Sequence, residues 1–232
     1  MDIKYRDTIE ALYDAYFDIN TQQEEGDNIA GAEQENAQDE IQDNIYEVTS
    51  YFFLERLFQT LPFSKEDHLV DFGCGKGRVL FMAAHYSCPH VTGYENNKAR
   101  FEILTNNIRQ YQGKHGEGTI FDVHNVDAQG AVIDDRANRF FFFEPFHLDI
   151  FDQVVKNIQD SLKRRQREVM LFLYLPHNST LEYFDHIEGF KREIYVDSTL
   201  YHTDAALVTM PQFAFYANYS MVDSVDPGFL LY

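Results

Sequence analysis

His68-Leu-Val-Asp71-Phe-Gly73-Cys-Gly75-Lys-Gly77-Arg-Val-Leu80 is a short apolar run that enters an Asp-x-Gly-x-Gly-x-Gly turn and passes directly into a helical pattern. Glycines at alternate positions let the backbone turn sharply and let a ligand approach where a Cβ would block it. A strand, a glycine turn and a helix in that order form an edge on which nucleotide-like ligands lie in open α/β sheets. The spacing narrows the ligand. A dinucleotide turn has the pattern Gly-x-Gly-x-x-Gly, which would place the third glycine at position 78. That residue is Arg78, and the third glycine is Gly77. Lys76 and Arg78 read as solvent-facing residues at the start of the helix.

The next apolar run, Pro89-His-Val-Thr-Gly93-Tyr-Glu95, ends in a carboxylate 24 residues after Asp71. A carboxylate there can accept from both hydroxyls of a ribose, because it offers two oxygens in one plane. Nicotinamide enzymes use such an acid too, so Glu95 marks an adenosine ligand without saying which one.

Outward from these two segments the chain alternates. Apolar runs occur at 68–72, 90–95, 118–123, 139–146, 168–176, 190–197 and 206–218. Helical patterns lie among the first five, at 77–87, 97–112 and 149–165, and a short helix is expected at 179–187. Strands alternating with helices predict parallel pairing in a three-layer α/β sandwich. Residues 198–205 are short and polar, so the last two runs are expected to pair antiparallel. Upstream, 46–61 reads as a helix stopped by Pro62, and 3–19 as an amphipathic helix. Residues 20–44 are almost entirely polar and read as a linker or a solvated helix. The expected division is an acidic N-terminal segment, 1–45, and a globular body, 46–232.

Of 232 residues, 44% are apolar and 16% aromatic, a globular composition long enough to bury its own core. The formal charge is −19, and 14 Asp/Glu against Lys4 and Arg6 put most of it in residues 1–50. That argues against binding nucleic acid through bulk charge, since such affinity comes largely from Lys and Arg displacing counterions. Lys163-Arg-Arg-Gln-Arg167, the one basic cluster, reads as a solvated helix end. The start lacks the apolar core of a signal peptide, and Phe140–Phe143 and Val169–Pro176 are far too short to span a bilayer. Cys74 and Cys88 show no paired-ligand spacing, and the nine histidines show no metal-site pattern. No Gly-x-Ser-x-Gly nucleophile signature occurs. A cytoplasmic protein is expected, without membrane or metal; oligomeric state is open.

Val70-Asp-Phe-Gly-Cys-Gly-Lys-Gly-Arg78, then Gly93-Tyr-Glu95, then Val126-Asp127, then Phe143-Glu-Pro-Phe146 resembles the class I S-adenosylmethionine-dependent methyltransferases in order and spacing over about residues 46–218. The resemblance implies a Rossmann-like fold with a mostly parallel seven-stranded sheet ending in an antiparallel hairpin, here with an N-terminal helical extension. It implies S-adenosyl-L-methionine as cofactor. Asp71 and the turn Gly73, Cys74, Gly75 and Gly77 would flank its methionine part. Glu95, with Asn96 beside it, would hold the ribose, and Asp127 with Ala128 would meet the adenine. Tyr46 and Thr49, in the helix before the glycine strand, would close over the cofactor. From the residues alone, Asp71 can instead brace the turn, Asp127 can be a loop acid, and Thr49 can be a helix cap.

Arg139-Phe-Phe-Phe-Phe-Glu144-Pro145-Phe146 is a buried strand breaking at a proline, at the edge where the methyl group would sit. Amino-group methyltransferases often carry Asp/Asn-Pro-Pro and an aromatic there. This chain has Glu-Pro-Phe, one proline shorter, which places an amine acceptor in question. Methyl transfer asks mainly for alignment of a nucleophile. Glu144 can take a proton or hold a donor, and Phe146 can face positive charge, with Pro145 ending the strand; a plain strand terminator is the alternative. His147 and His177 follow the fourth and fifth strands at the same edge. A small-molecule or protein acceptor is expected over nucleic acid. A nucleic-acid base N-methyltransferase and a catalytically silent cofactor-binding protein are the alternatives. The N-terminal arm is expected over the acceptor side, as a lid that orders with ligand.

Overall fold

The computed structural model describes residues 3–22, 47–143, 147–176, 179, 180, 182, 183, 191–196 and 205–210. The chain divides into two units, 1–131 and 132–232.

In the first unit, helices α1 (Ile3–Phe17) and α2 (Tyr51–Thr60) precede β1 (His68–Phe72), α3 (Arg78–His85), β2 (His90–Tyr94), α4 (Lys98–His115) and β3 (Ile120–His124). The strands pair parallel in the order β3-β2-β1, with Asp71 opposite Gly93 and Gly93 opposite Val123. Parallel neighbours need a crossover, which α3 and α4 supply. All five residues of β1 are buried, as expected for a parallel strand covered on both faces. β3 leaves Ile120 and Asp122 exposed, so the alternation returns where a strand lies farther from the core. Leu69, Val70, Leu80, Phe81, Val91 and Leu104 form the interior of this unit.

α1 belongs to the same unit and packs on α2 and α4. Its anchor is Phe17, fully buried among the rings of Tyr13, Tyr51, His85, Tyr111 and His115. Lys114 Nζ and His115 Nε2 donate to the carbonyls of Ala15 (3.2 Å) and Tyr16 (3.1 Å). These end-of-helix carbonyls lack partners within α1, and cations suit that terminus. Most of the polar stretch 20–44 lies outside the described residues.

α2 starts at Tyr51, five residues later than its sequence pattern suggests, and residues 47–50 are not helical. The cause is non-local. Glu10 Oε1 accepts from Tyr51 N (2.8 Å) and from Ser50 Oγ (2.8 Å), so a carboxylate on α1 caps α2. Thr49 is therefore not the cap. It is buried, and the N-cap position belongs to Ser50.

In the second unit, β4 (Arg139–Phe143) and β5 (Val169–Tyr174) pair parallel around α5 (Leu148–Arg164), and β6 (Lys191–Val196) and β7 (Ala205–Met210) follow. The backbone of β7 runs antiparallel to β5 and to β6. Phe140, Phe141 and Phe142 are fully buried, and α5 turns Phe151, Val154, Val155, Ile158 and Leu162 inward at helical spacing. The basic cluster is only partly the solvated helix end its composition suggests. Lys163, Arg164 and Arg165 are exposed, but Arg167 is half-buried and donates to the Ala137 carbonyl (2.5 Å) and Ser161 Oγ (2.8 Å). Its planar fork of donors ties the end of α5 to the approach to β4. Among the described residues, no helix is long and apolar enough to cross a membrane.

Candidate functional site

The site grows from the carboxyl end of β1. Gly73, Gly75 and Gly77 have φ of 74°, 54° and 96°, a conformation that side-chain-bearing residues rarely adopt. The turn is fixed to the neighbouring strand, since Gly73 N (2.8 Å) and Cys74 N (3.0 Å) both donate to the Tyr94 carbonyl. Gly77 N closes the turn on the Cys74 carbonyl (2.8 Å). A Cβ on Gly77 would stand 2.5 Å from Leu104 Cδ1 and 2.9 Å from Phe81 Cε2, so the turn is pressed against α3 and α4. Gly93 is small for a separate reason. A Cβ there would lie 2.7 Å from Cys74 Sγ, so the buried thiol fills the space that the missing side chain leaves. Burial, and then the charges of Asp71 and Glu95, push that thiol up and keep it protonated. Cys74 thus spends its backbone groups on the turn and turns its sulfur to the core.

Glu95 follows β2 and is 3% exposed. Its Oε2 accepts from Gly75 N (2.8 Å) and its Oε1 from Asn97 N (2.7 Å). Each oxygen keeps acceptor capacity beyond its one backbone bond. Burial raises the Glu95 carboxyl above the ordinary range, and the bonds from Asn97 and Gly75, with the Arg100 charge, oppose that rise. Asp71, also 3% exposed, has no hydrogen-bond donor among the described residues. Burial first, and the Glu95 charge second, hold its carboxyl well above the usual range. A brace would accept backbone N–H groups, and Asp71 accepts none from the described residues.

After β3, Asp127 Oδ1 accepts from Gln129 N (2.8 Å) and caps a short turn of helix over Ala128–Gly130. Asp127 is exposed and Ala128 buried. Asn125 draws this loop to the end of β2. Its Nδ2 donates to the carbonyls of Glu95 (2.7 Å) and Asn96 (3.2 Å). Sequence reasoning overlooked Asn125, whose only signal is its place one residue past a strand and two before Asp127.

The structure thus brings Asp71, the Gly73–Gly77 turn, Glu95, Asn96, Asp127 and Ala128 to the carboxyl ends of three parallel strands. Thr49 is buried, and its carbonyl accepts from Arg78 Nη1 (2.9 Å) just past the turn. Tyr46, Glu144, Pro145, Phe146 and His177 lie outside the described residues. His147 is exposed at the N-cap of α5.

Lys76 and Arg78 correct the expectation of solvent-facing residues, being 0% and 3% exposed. Arg78 Nε donates to Thr21 Oγ1 (2.9 Å), its Nη1 meets Glu10 Oε2 at 2.6 Å, and its Cζ lies 4.2 Å from the centre of the Tyr51 ring. Lys76 Nζ donates to the Gln22 carbonyl (2.8 Å). The partners come from the N-terminal arm, which local pattern cannot place beside the turn.

No family model matches this sequence, and no curated protein matches it. Solved structures do match in fold. An RNA methyltransferase from Salinibacter ruber in complex with S-adenosyl-L-homocysteine superposes with a TM-score of 0.52 at 14% identity, over 72% of this chain and 95% of that one. An rRNA methylase from Streptococcus thermophilus gives a TM-score of 0.50 at 13% identity, over 71% of this chain and 97% of that one. At such identities the likeness speaks to architecture: the chain has the fold of the class I methyltransferases.

Proposed function

We propose that this protein is an S-adenosylmethionine-dependent methyltransferase whose cofactor lies across the carboxyl ends of β1, β2 and β3. The reading rests on Glu95. Its carboxylate is fixed by one backbone N–H on each oxygen, leaving both able to accept from a vicinal diol. The surroundings fit the same ligand. Gly73, Gly75 and Gly77 give the turn its positive-φ shape, and Asp71 is a buried carboxylate without a donor among the described residues, a natural partner for an ammonium group. Asp127 with Ala128 would take the adenine end. Such a fold is a mostly parallel seven-stranded sheet with a terminal antiparallel pair.

When bound, the cofactor supplies a methyl group on a sulfonium, already a good leaving group. The chain's own task is to hold and orient the acceptor and to exclude water. By the Glu-Pro-Phe motif, Glu144 would accept or position the acceptor's proton and Phe146 would meet the developing charge, with Pro145 between them. Acceptors are a small molecule or a protein side chain, in the cytoplasm. A nucleic-acid base is the second reading, favoured by the RNA methylases among the structural likenesses and opposed by the charge of −19.

Glu144→Gln tests the assignment. It is expected to keep cofactor affinity within about twofold and to lower single-turnover methyl transfer by about 100-fold or more. A variant with unchanged rate removes Glu144 from the chemistry. A wild-type protein that binds cofactor and methylates nothing across small-molecule, protein and RNA pools is a silent binder.

A further inference from the structure

We infer that the N-terminal arm is a working part of the cofactor site, with Glu10 and Thr21 as positioning residues that hold the glycine turn in its binding shape through Arg78. The inference rests on the methyltransferase reading above. A glycine-rich turn has more conformational freedom to lose than any other segment, and a site that must order itself on binding loses affinity to that cost. The turn's own bonds to Tyr94, Glu95 and Cys74 limit that freedom, and the arm adds to them from the other side chains of the segment.

Two side chains on this segment, Lys76 within the turn and Arg78 just after it, are gripped by the arm. Arg78 is held on four sides: Glu10 by an ion pair, Thr21 by its hydroxyl, Thr49 by its carbonyl and Tyr51 by its ring face. Thr21 is itself held. Its Oγ1 and N donate to Asp14 (2.7 and 2.8 Å), and the Tyr51 hydroxyl also donates to Asp14. Burial, with Asp14 opposing Arg78, pushes the Tyr51 phenol up, so it stays a donor. Lys76 reaches the Gln22 carbonyl. A third tie runs through α4. Asn107 Nδ2 donates to the carbonyls of Lys76 (3.1 Å) and Asn20 (2.8 Å), and its Oδ1 accepts from Asn20 N (3.1 Å). The Lys76 side chain is thus bonded to Gln22, its carbonyl is bridged to Asn20 through Asn107, and the guanidinium that begins α3 is bonded to Glu10 of α1. None of Glu10, Asp14 and Thr21 is among the residues assigned to the cofactor.

The test uses full-length variants. Glu10→Gln keeps an oxygen for Ser50 and Tyr51 and removes the charge that faces Arg78; Thr21→Val removes the hydroxyl between Asp14 and Arg78 at constant shape. Ile158→Val, in the core of the other unit, is the control for stability alone. Glu10→Gln is expected to weaken S-adenosylmethionine binding about tenfold, which corresponds to about 1.4 kcal/mol, and Thr21→Val several-fold. Hydrogen exchange without ligand is expected to quicken at the Gly75 and Gly77 amides while those of β2 stay protected, and Ile158→Val moves neither readout. Folded Glu10→Gln and Thr21→Val proteins with unchanged affinity and unchanged turn exchange overturn the inference. So does Ile158→Val weakening binding as much as they do, since the effect is then one of general stability. If the wild type binds no S-adenosylmethionine, the methyltransferase reading fails, and the exchange measurement still decides whether the arm holds the turn. If Glu10→Gln does not fold, Thr21→Val decides alone.

Discussion

Asp71 lies almost wholly out of water, next to the charge of Glu95, with no described donor. Its folded carboxyl therefore holds a proton to higher pH than the unfolded chain's does. Stability from such a group is complete below the unfolded value of 3.8 and is lost as pH rises through the raised folded value. Asp71→Asn removes that loss. It is expected to stabilise the protein by about 1–2 kcal/mol at pH 8, the scale of the desolvation cost of a buried group left without a donor. The gap should narrow as pH falls toward 4 in paired thermal melts. The same variant is expected to bind cofactor more weakly, since the site keeps a charge that the fold would shed. An equal or lower melting temperature at pH 8 contradicts this reading. Gly77 is constrained in the opposite sense. Gly77→Ala puts a Cβ against Leu104 and Phe81 at a φ of 96°, so urea unfolding should show a loss of about 2–4 kcal/mol from strain and overpacking together. Both residues were legible in the sequence because strand, turn and helix follow one another within a dozen residues. Arg78 was not, because its partner Glu10 lies 68 residues away.

Among the elements, α1 carries the departure from the local pattern. Its amphipathic spacing was readable, and its surroundings were not. A helix followed by a polar stretch reads as an appendage, yet Phe17 is as buried as any residue of the strands. Phe17→Ala is expected to cost about 3–5 kcal/mol in chemical denaturation, the range for a buried aromatic. A loss below about 1 kcal/mol would mean that α1 is loosely attached. The start of α2 shows the same limit. The apolar pattern begins near Tyr46, but the helix begins where Glu10 supplies the first acceptor. The strands fared better, and β1 spans the residues its sequence indicates. A fully buried parallel strand is a continuous apolar run between polar breaks, and nothing distant needs to be known to find it.

For the whole molecule, the order of motifs along the chain carries the argument, since likenesses at 14% identity speak only to the fold. The charge of −19 disfavours a phosphate backbone as the source of affinity, and the residues assigned to the acceptor, Glu144, Pro145 and Phe146, lie outside the described segments. The central claim is the cofactor, and calorimetric titration tests it most directly. Wild type and Glu95→Ala are titrated with S-adenosylmethionine, S-adenosylhomocysteine and, as control, NAD. The account predicts micromolar binding of both sulfur ligands, none of NAD, and at least about tenfold weaker binding by the variant, the scale of a charge-assisted hydrogen-bond pair. Binding of NAD in their place, or sulfur-ligand affinity unchanged by the loss of Glu95, would contradict it.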